Sequence, residues 1–394
     1  MFGSVIPTVI ATPSSSSAHT LQTGSSGSEI FVYVVGARPN YVKIAPVLVA
    51  MRKARPEARH ILINTGQHYD PALSSLFVEA LEMPAPDYDL EVGSASQAQQ
   101  VAMVMQRIEP ILIAEQPTAV IVPGDVNSTL AASLVAVKLG IPVVHLEAGL
   151  RSFDRSMPEE VNRVLVDQLA ALSLVHSPEA VTNLAAEGIG DNRVRFVGNT
   201  MIDALVAVEE RVAKSHAAED FGLEPGSYLL VTLHRPALVD GPLLLDALDA
   251  LAEISEVMPV LFPVHPRTRQ RLANYQAPEN LQLCEPMGYL GFLSAQTTAR
   301  AVLTDSGGVQ EESTFLGVPC FTLRDNTERP ITIERGTNTL IGLNPDAIRR
   351  IPGMLAEWKP NPLRPELWDG QAADRAVAAI LEMVANSGSV LETV

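Results

Sequence analysis

The stretch 118–163, TAVIVPGDVNSTLAASLVAVKLGIPVVHLEAGLRSFDRSMPEEVNR, decides the fold. Its run TAVIVP is apolar without alternation, which is typical of a strand buried on both faces of a parallel sheet. A helix rich in small residues is predicted over 128–139, and a second apolar strand, IPVVHL, follows Gly140. Two such strands joined by a helix pack as parallel neighbours with a right-handed crossover. The stretch therefore predicts an α/β fold.

Three acidic residues follow the elements of this unit. Asp125 comes just after the first strand and Glu147 directly after the second. Ligands of open α/β sheets bind at the carboxyl ends of the strands, so both side chains should line a site. Glu159 follows Pro158 at a predicted helix start, where acids complement the positive end of the helix. Taken singly, Asp125 reads as a cap and Glu159 as a dipole partner. Together the three acids favour chemistry.

The length and composition indicate a globular chain of two or three domains, with 394 residues, 47% of them hydrophobic and 19% charged. The formal net charge of -17 argues against a nucleic-acid partner, which needs a basic footprint. Cys284 and Cys320 each lie beside an apolar run and are predicted to be core residues in a reducing compartment. No stretch is long enough to span a membrane, so we expect a cytoplasmic protein with no membrane partner.

The order of strands and helices predicts two similar halves, because the α/β pattern of the first half restarts near residue 227. The N-terminal segment has the composition of a linker and is excluded from the fold. The predicted organisation is a disordered tail (1–28), a first Rossmann-like domain carrying the acids (29–200), a linker (201–226), a second Rossmann-like domain (227–372) and a C-terminal helix docked on a core (373–394).

Each half also offers groups that suit an anion. In the first half, the turn after IFVYVVG carries Arg38, followed by Lys43. This turn is not GxGxxG and indicates no dinucleotide fingerprint, but the two side chains suit phosphate as a planar fork and a point charge. For either residue alone, a solvated surface position is the alternative. Because Arg38 lies at the carboxyl end of a strand, we favour function.

In the second half, TDSGGVQEE predicts a strand, a turn and a helix start. Ser306 is predicted to cap the helix, and Gly307 and Gly308 leave backbone N–H groups unshielded at its positive end, which suits a diphosphate. Glu312, about one turn further, is a candidate acceptor for a ribose diol. The alternative is an ordinary glycine-rich turn between strand and helix.

Two histidines follow strands of the second half. His234 ends VTLH and His265 ends PVH, so both should face a cleft between the halves. A lone histidine at a strand end is more often structural, but two at one edge favour a functional cleft. The spacing of His, Cys and acidic residues indicates no metal site, and no nucleophile elbow is present.

Together these motifs resemble the non-hydrolysing UDP-N-acetylglucosamine 2-epimerases. The matching segments run in family order from about residue 31 to 342, and they are GARPNYVKIAPV, TGQH, PGDVNSTLA, HLEAGLRS, MPEEVNR, VGNTMIDAL, VTLHRP, PVHP, EPMGYLGF, TDSGGVQEES, RDNTERP and GTNTLIG. The resemblance implies two Rossmann-like domains around a cleft, as in GT-B glycosyltransferases, with the last helix crossing back onto the first domain.

The resemblance also implies roles for individual residues. Asp125, Glu147 and Glu159 would be the catalytic acids, with His234 near the leaving diphosphate. Glu312 would bind the ribose, and His265 and Gly308 are further predicted substrate contacts. The residues implied to hold UDP are Arg38, Lys43, Arg163, Ser306, Gly307 and Arg329.

The family reaction is the reversible interconversion of UDP-GlcNAc and UDP-ManNAc through a 2-acetamidoglucal, which supplies cell-surface polysaccharide synthesis. The resemblance implies a homodimer that needs no metal or nicotinamide cofactor. Which acid acts as base is left open by the sequence. A hydrolysing epimerase, a GT-B glycosyltransferase and a non-catalytic UDP-sugar sensor are the alternatives.

The chain departs from the bacterial pattern at two places. Where that pattern reads HRREN, this sequence has HRPAL, from His234 to Leu238. After TGQH it has Tyr69 and Asp70 in place of a second Gln that binds an activating UDP-GlcNAc in bacterial members, which argues against such activation. The segments LRSFDRSMPEEVNR and ERGTNTLIG suggest a divergent subgroup whose sugar is a modified GlcNAc.

Overall fold

The computed structural model describes residues 29–67, 81–272, 274–359 and 364–391. The predicted tail 1–28, His68 and most of a helix predicted over 72–82 lie outside these ranges.

The first half is a parallel sheet of seven strands in the order β3-β2-β1-β4-β5-β6-β7. The chain leaves β1 towards one edge and returns to β4 to build the other, so the switch in direction lies between β1 and β4. Its strands are β1 Ile30–Val35, β2 Arg59–Asn64, β3 Tyr88–Asp89, β4 Ala119–Pro123, β5 Val143–Leu146, β6 Leu172–Val175 and β7 Val194–Phe196. Strands β4, β5 and β6 are buried along their whole length, as their unbroken apolar sequences predict.

The second half repeats this plan as a parallel sheet of six strands in the order β10-β9-β8-β11-β12-β13. Its switch point lies between β8 and β11. The strands are β8 Leu229–Thr232, β9 Val260–Pro263, β10 Leu281–Cys284, β11 Ala301–Thr304, β12 Cys320–Thr322 and β13 Asn338–Leu340. The predicted fold class, an α/β chain with two Rossmann-like sheets, is confirmed.

The helices flank both sheets. In the first half they are α1 Arg38–Ala54, α2 Gln97–Glu115, α3 Asn127–Lys138, α4 Pro158–Leu169, α5 Pro178–Ala186 and α6 Thr200–Ala213. In the second half they are α7 Pro236–Val239, α8 Leu243–Ser255, α9 Pro266–Arg271, α10 Tyr289–Thr298, α11 Gly307–Leu316, α12 Ile331–Glu334, α13 Ile351–Glu357 and α14 Ala372–Leu391. Within the described ranges, no helix is long and apolar enough to cross a bilayer.

Two helices join the halves. Helix α6 packs against α1 on one side and against α10 and α11 on the other, so the segment predicted as a linker begins with a packed helix. Helix α14 crosses back and packs on α1, where Ala376 and Ile380 enter the core of the first sheet. Asp203 of α6 accepts hydrogen bonds from the backbone N–H groups of Ala372 (3.1 Å) and Ala373 (2.6 Å), which caps α14. The predicted crossing of the last helix is confirmed.

Candidate active site

The switch points of the two sheets supply the residues of the cleft. Asp125 lies two positions beyond β4, and Glu147 directly follows β5. From the second sheet, His234 lies two positions beyond β8, and Ser306 lies the same distance beyond β11. Parallel strands end at one edge of a sheet, so the chain order of these four residues places them in the crevice where ligands of doubly wound folds bind.

Glu147 holds a strained position between two cations. Its φ of +65° is unusual for a residue with a side chain, and such strain persists where surrounding contacts enforce it. Its Oε2 pairs with the Lys43 ammonium, and its Oε1 accepts a hydrogen bond of 2.6 Å from Arg329 Nη2. Burial alone would raise the pKa of Glu147, but Lys43 and Arg329 hold it below its ordinary value. The carboxylate is therefore ionised and held by both halves of the molecule.

The backbone turn beside Glu147 is shaped to admit this pair. Gly124 has a φ of +64°, and a Cβ there would lie 3.0 Å from Lys43 Nζ and 3.2 Å from Glu147 Oε2. Glycine is therefore favoured at this position both by its backbone conformation and by the proximity of the ion pair.

Arg329 forms the centre of a buried network of charges. Each of its three nitrogens faces a different carboxylate: Nη2 faces Glu147 (2.6 Å), Nη1 faces Glu328 (3.0 Å) and Nε faces Glu311 (3.1 Å). Burial alone would lower the pKa of the guanidinium, but the three carboxylates raise it above its ordinary value. Because Glu147 belongs to the first half and Arg329 to the second, this guanidinium is a charged link across the cleft.

Glu311 receives a second contact from the first half. His176, just after β6, places Nε2 2.9 Å from Glu311 Oε1. Burial would raise the pKa of Glu311, but Arg329 and His176 lower it below its ordinary value. The two interdomain pairs, Glu147 with Arg329 and His176 with Glu311, thus share the same guanidinium.

Asp125 is held by Arg163, which the family resemblance implies is a UDP contact. Arg163 donates from Nε to Asp125 Oδ2 (3.1 Å) and also contacts this oxygen through Nη2. Its Nη1 donates to Glu160 (2.7 Å). Glu160 also accepts hydrogen bonds from the backbone N–H groups of Ser152 and Phe153, both at 2.9 Å. Arg163 and the neighbouring loop are therefore fixed by Glu160.

The predicted acid Glu159 and its neighbour differ in environment. Both lie in the first turn of α4, but Glu159 is exposed whereas Glu160 is buried. The Glu159 carboxylate is accessible to solvent, whereas Glu160 is committed to Arg163. The catalytic role of Glu159 stays a prediction.

His234 is oriented by a buried carboxylate. Its Nδ1 lies 2.9 Å from Asp305 Oδ1, and Asp305 Oδ2 accepts hydrogen bonds of 2.8 Å from the backbone N–H groups of His234 and Arg235. Burial would raise the pKa of Asp305, but His234 and these N–H groups lower it. The half-exposed imidazole therefore presents its other nitrogen, Nε2, away from Asp305.

Helix α11 begins at Gly307 as predicted, with one difference at its N-cap. Ser306 occupies the N-cap position, but its side chain makes no capping hydrogen bond, so the prediction that it caps the helix is wrong in this respect. A Cβ on Gly307 would lie 2.6 Å from Arg329 Cζ, so the guanidinium packs directly on the first residue of the helix. The positive helix end and Arg329 therefore adjoin each other.

The remaining predicted residues lie as follows. Arg38 is the first residue of α1, at the carboxyl end of β1, and its side chain lies outside what the structure describes. His265 is exposed, two positions beyond β9. Glu312 is buried in α11, where it neighbours Tyr289 electrostatically.

A second buried network supports the turns that carry the acids. His145 in β5 has Nδ1 2.6 Å from Asp167 Oδ1 and Nε2 2.8 Å from the carbonyl oxygen of Gly124. Asp167 Oδ2 also accepts from the N–H of Gly149 (3.1 Å) and pairs with Arg151 (2.7 Å). These contacts tie the turn of Asp125 to the turn of Glu147.

One cluster has the residue types of a metal site. The carboxylates of Glu147 and Glu311 and the ring of His176 bring ligand atoms within 4.8 Å of one another. Lys43 and Arg329 already neutralise both carboxylates, so the charge that would attract a cation is compensated by the protein itself. That the protein needs no metal stays a prediction.

Comparison with known proteins places this geometry in a family context. A family model described as UDP-N-acetylglucosamine 2-epimerase matches residues 50–381. A protein from Methanocaldococcus jannaschii named UDP-N-acetylglucosamine 2-epimerase is 39% identical over 356 residues, covering 87% of this chain and 96% of that protein.

Two further comparisons bear on structure and substrate. A crystal structure of the Methanocaldococcus jannaschii UDP-GlcNAc 2-epimerase in complex with UDP-GlcNAc and UDP has a TM-score of 0.83 and 37% identity, covering 90% of this chain and 99% of that chain. A Pseudomonas aeruginosa protein named UDP-2,3-diacetamido-2,3-dideoxy-D-glucuronate 2-epimerase is 38% identical over 320 residues, covering 80% of this chain and 89% of that protein.

Proposed function

The chain belongs to the UDP-N-acetylglucosamine 2-epimerase family, and from this premise we propose that it interconverts UDP-GlcNAc and UDP-ManNAc by the non-hydrolysing route. The observation that carries the proposal is the link between the acid Glu147 and the start of α11 through Arg329. It joins a proton-transfer group to an anion site across one cleft, which is what inversion at a carbon beside a leaving diphosphate requires.

The reaction proceeds by elimination and re-addition. A carboxylate takes the proton from C2, the C2–H electrons form the C1–C2 double bond, and the electrons of the C1–O bond leave with UDP. A carboxylic acid on the opposite face then returns a proton to C2 while the UDP oxygen re-forms its bond to C1. Each proton transfer contributes about 10²–10⁴-fold to the rate.

We assign these transfers to Asp125, Glu147 and Glu159. The contacts that support this are the two held carboxylates, Asp125 on Arg163 and Glu147 between Lys43 and Arg329, together with the exposed position of Glu159. Two of the three thus have fixed positions and one is accessible at the start of α4.

The departing diphosphate needs positive charge at the position where its own charge increases. The free N–H groups at the start of α11, the adjoining Arg329 and the half-exposed His234 supply it. Lys43 adds positive charge from the first half, Gly308 continues the lining along α11, and Glu312 is the proposed acceptor for the ribose. Arg38 is assigned to UDP on the family resemblance alone. His265 completes the predicted contacts. A closed cleft also protects the glycal from water.

The test is proton NMR of the purified protein with UDP-GlcNAc in D2O without added metal or nicotinamide. UDP-ManNAc carrying deuterium at C2 is the expected product. Free ManNAc together with UDP would instead establish a hydrolysing enzyme, and an unchanged spectrum would overturn the proposed activity on this sugar.

A modified sugar is the second candidate substrate. It is favoured by the similarity to the Pseudomonas aeruginosa protein and by HRPAL in place of HRREN, where Ala237 and Leu238 stand at the positions of the Glu and the Asn. The same NMR experiment with UDP-2,3-diacetamido-2,3-dideoxy-D-glucuronate distinguishes the two. A higher kcat/KM for this sugar than for UDP-GlcNAc would establish it as the preferred substrate.

We propose further that the protein acts in the cytoplasm as a homodimer. The dimer rests on the family resemblance, and the reducing compartment on two free thiols, one buried at Cys320 and one half-buried at Cys284. Light scattering of the full chain should give about twice the mass of 42.3 kDa, and a monomeric mass would contradict it.

A further inference from the structure

Arg329 has no nitrogen that is not already facing a carboxylate. Its three nitrogens face Glu147, Glu311 and Glu328 at 2.6, 3.1 and 3.0 Å. A guanidinium has five N–H donors in a rigid fork, so a new anionic acceptor must share these donors or displace one carboxylate. The diphosphate site proposed at the start of α11 adjoins this guanidinium, because Arg329 packs on Gly307.

The three carboxylates differ in how easily they give up Arg329. Glu328 precedes it in the chain and Glu311 lies in α11, and both are buried in the same half as Arg329. Glu147 approaches from the other half of the molecule, and it keeps a second cation, Lys43, on its other oxygen. A buried carboxylate that loses its partner is costly, but each of the three keeps another one: Lys43 beside Glu147, His176 beside Glu311 and Arg324 beside Glu328. Glu147 differs from the other two because it reaches Arg329 from across the cleft and because its side chain is the most exposed, at 10% against 0% for Glu311 and 4% for Glu328. Glu147 is therefore the carboxylate that is displaced at the lowest cost.

We propose that Glu147 and the substrate diphosphate compete for Arg329, so that arrival of the diphosphate releases the Glu147 carboxylate for proton transfer. This inference rests on the proposed function, and it adds a coupling between the leaving-group site and one acid. The acid becomes available only when a diphosphate has taken its partner. As UDP departs and gains charge, its hold on Arg329 increases, which keeps Glu147 released while the glycal forms.

The competition predicts that removing an active-site carboxylate strengthens the binding of UDP. Glu147→Gln removes the internal competitor, so UDP should bind at least about tenfold more tightly than to the wild type, although turnover is lost. The measurement is isothermal titration with UDP, which needs no catalysis. Absence of sugar interconversion by the wild type would refute the proposed function, but it would not change the UDP affinities measured by titration.

Glu253→Gln is the matched control. Glu253 is an exposed carboxylate paired with Arg349 at 2.7 and 2.8 Å, and neither residue belongs to the cleft network. The Glu253→Gln substitution removes one negative charge, as Glu147→Gln does, from a chain of net charge -17. Its dissociation constant for UDP should stay within about twofold of the wild type, since exposed charges are screened over about 8–10 Å. Equal tightening in both variants would overturn the proposal.

The route through Arg329 is tested in a double-mutant cycle. In the Arg329→Gln background, Glu147→Gln should leave the dissociation constant for UDP unchanged. If tightening persists in that background, the released cation is Lys43 and the proposal is overturned. Should Glu147→Gln fail to fold, Glu147→Asp keeps the charge but retracts the carboxylate, and a smaller tightening is expected. Binding equal to or weaker than the wild type in whichever variant folds would overturn the competition.

Discussion

The contact between Gly307 and Arg329 allows a comparison of two adjacent substitutions. Neither Gly307 nor Gly308 has a positive φ, so alanine fits the backbone at both positions. A Cβ at Gly307 would lie 2.6 Å from Arg329 Cζ and 3.1 Å from Nε, whereas one at Gly308 would meet the Met201 Cε at 2.9 Å. The first neighbour is a guanidinium held by three carboxylates, and the second is the flexible end of a thioether.

The expected loss of stability in each variant follows from these neighbours. An overpacked buried contact costs about 2 kcal/mol, and loosening the ion pairs of Arg329 without breaking them adds about 1 kcal/mol, a fraction of the roughly 3–5 kcal/mol for a broken buried pair. Alanine stabilises a helix by about 1 kcal/mol relative to glycine, which offsets part of this destabilisation. Gly307→Ala should therefore destabilise by about 2 kcal/mol, which lowers Tm by about 4–8 °C for a domain of this size. Gly308→Ala should leave Tm within about 2 °C, because Met201 can move aside.

The assay is thermal unfolding of both variants beside the wild type, in the same buffer and without nucleotide. Titration with UDP then tests the binding consequence, since displacement of Arg329 should weaken UDP binding to Gly307→Ala. Equal Tm values for the two variants would refute the reasoning, because they would show that Arg329 moves as freely as the Met201 methyl group. A lower Tm for Gly308→Ala than for Gly307→Ala would do the same.

Two further predictions concern the supporting networks. Burial raises the pKa of Asp203 to about 6, although two N–H groups of α14 donate to it. Ionising Asp203 therefore lowers the free energy of unfolding, and the stability that Asp203 contributes should decline as the pH rises from about 4 through 6. The Tm of Asp203→Asn should not show this decline, and a parallel pH dependence in variant and wild type would contradict the assignment. Asp167→Asn leaves Arg151 and His145 without their buried carboxylate and should destabilise by about 3 kcal/mol, measured by thermal unfolding, with a fall in kcat because the turns of Asp125 and Glu147 loosen. An unchanged Tm would show that Glu187, the other partner of Arg151, suffices.

Much of the fold can be predicted because parallel strands leave a strong sequence signal. Strands β4 and β5 are apolar without interruption and are joined by a helix, so their pairing and the positions of Asp125 and Glu147 follow from chain order. Strands β3 and β13 are not predicted, since they have two and three residues and lie at sheet edges. A run this short has no measurable alternation, and its pairing depends on the neighbouring strand.

The partners of the site residues are harder to predict than the residues themselves. Arg329 is predicted to hold UDP, but nothing in TERP shows that its guanidinium reaches Glu147, 182 positions away in the chain. His176 follows a short strand and carries no motif, yet its ring meets Glu311 from the other half. Contacts across a cleft depend on how two separately folded sheets are placed, and local sequence patterns carry no information on that placement.

The adjacent glutamates of α4 show why the burial of a charged residue in a helix is hard to predict from the sequence. Neighbouring residues of a helix point about 100° apart, so MPEEVNR directs only one of its two glutamates inward, and the acids alone do not show which. An amphipathic helix is usually read by its apolar stripe, but α4 buries Glu160, Arg163 and Asp167 and leaves Leu165 exposed. These buried charges recur at i, i+3 and i+7, which is the period of one helix face. Opposite charges at that spacing are usual on exposed helix faces as well, so only the structure shows that this face of α4 is buried and includes Glu160, whereas Glu159, the proposed acid, is exposed.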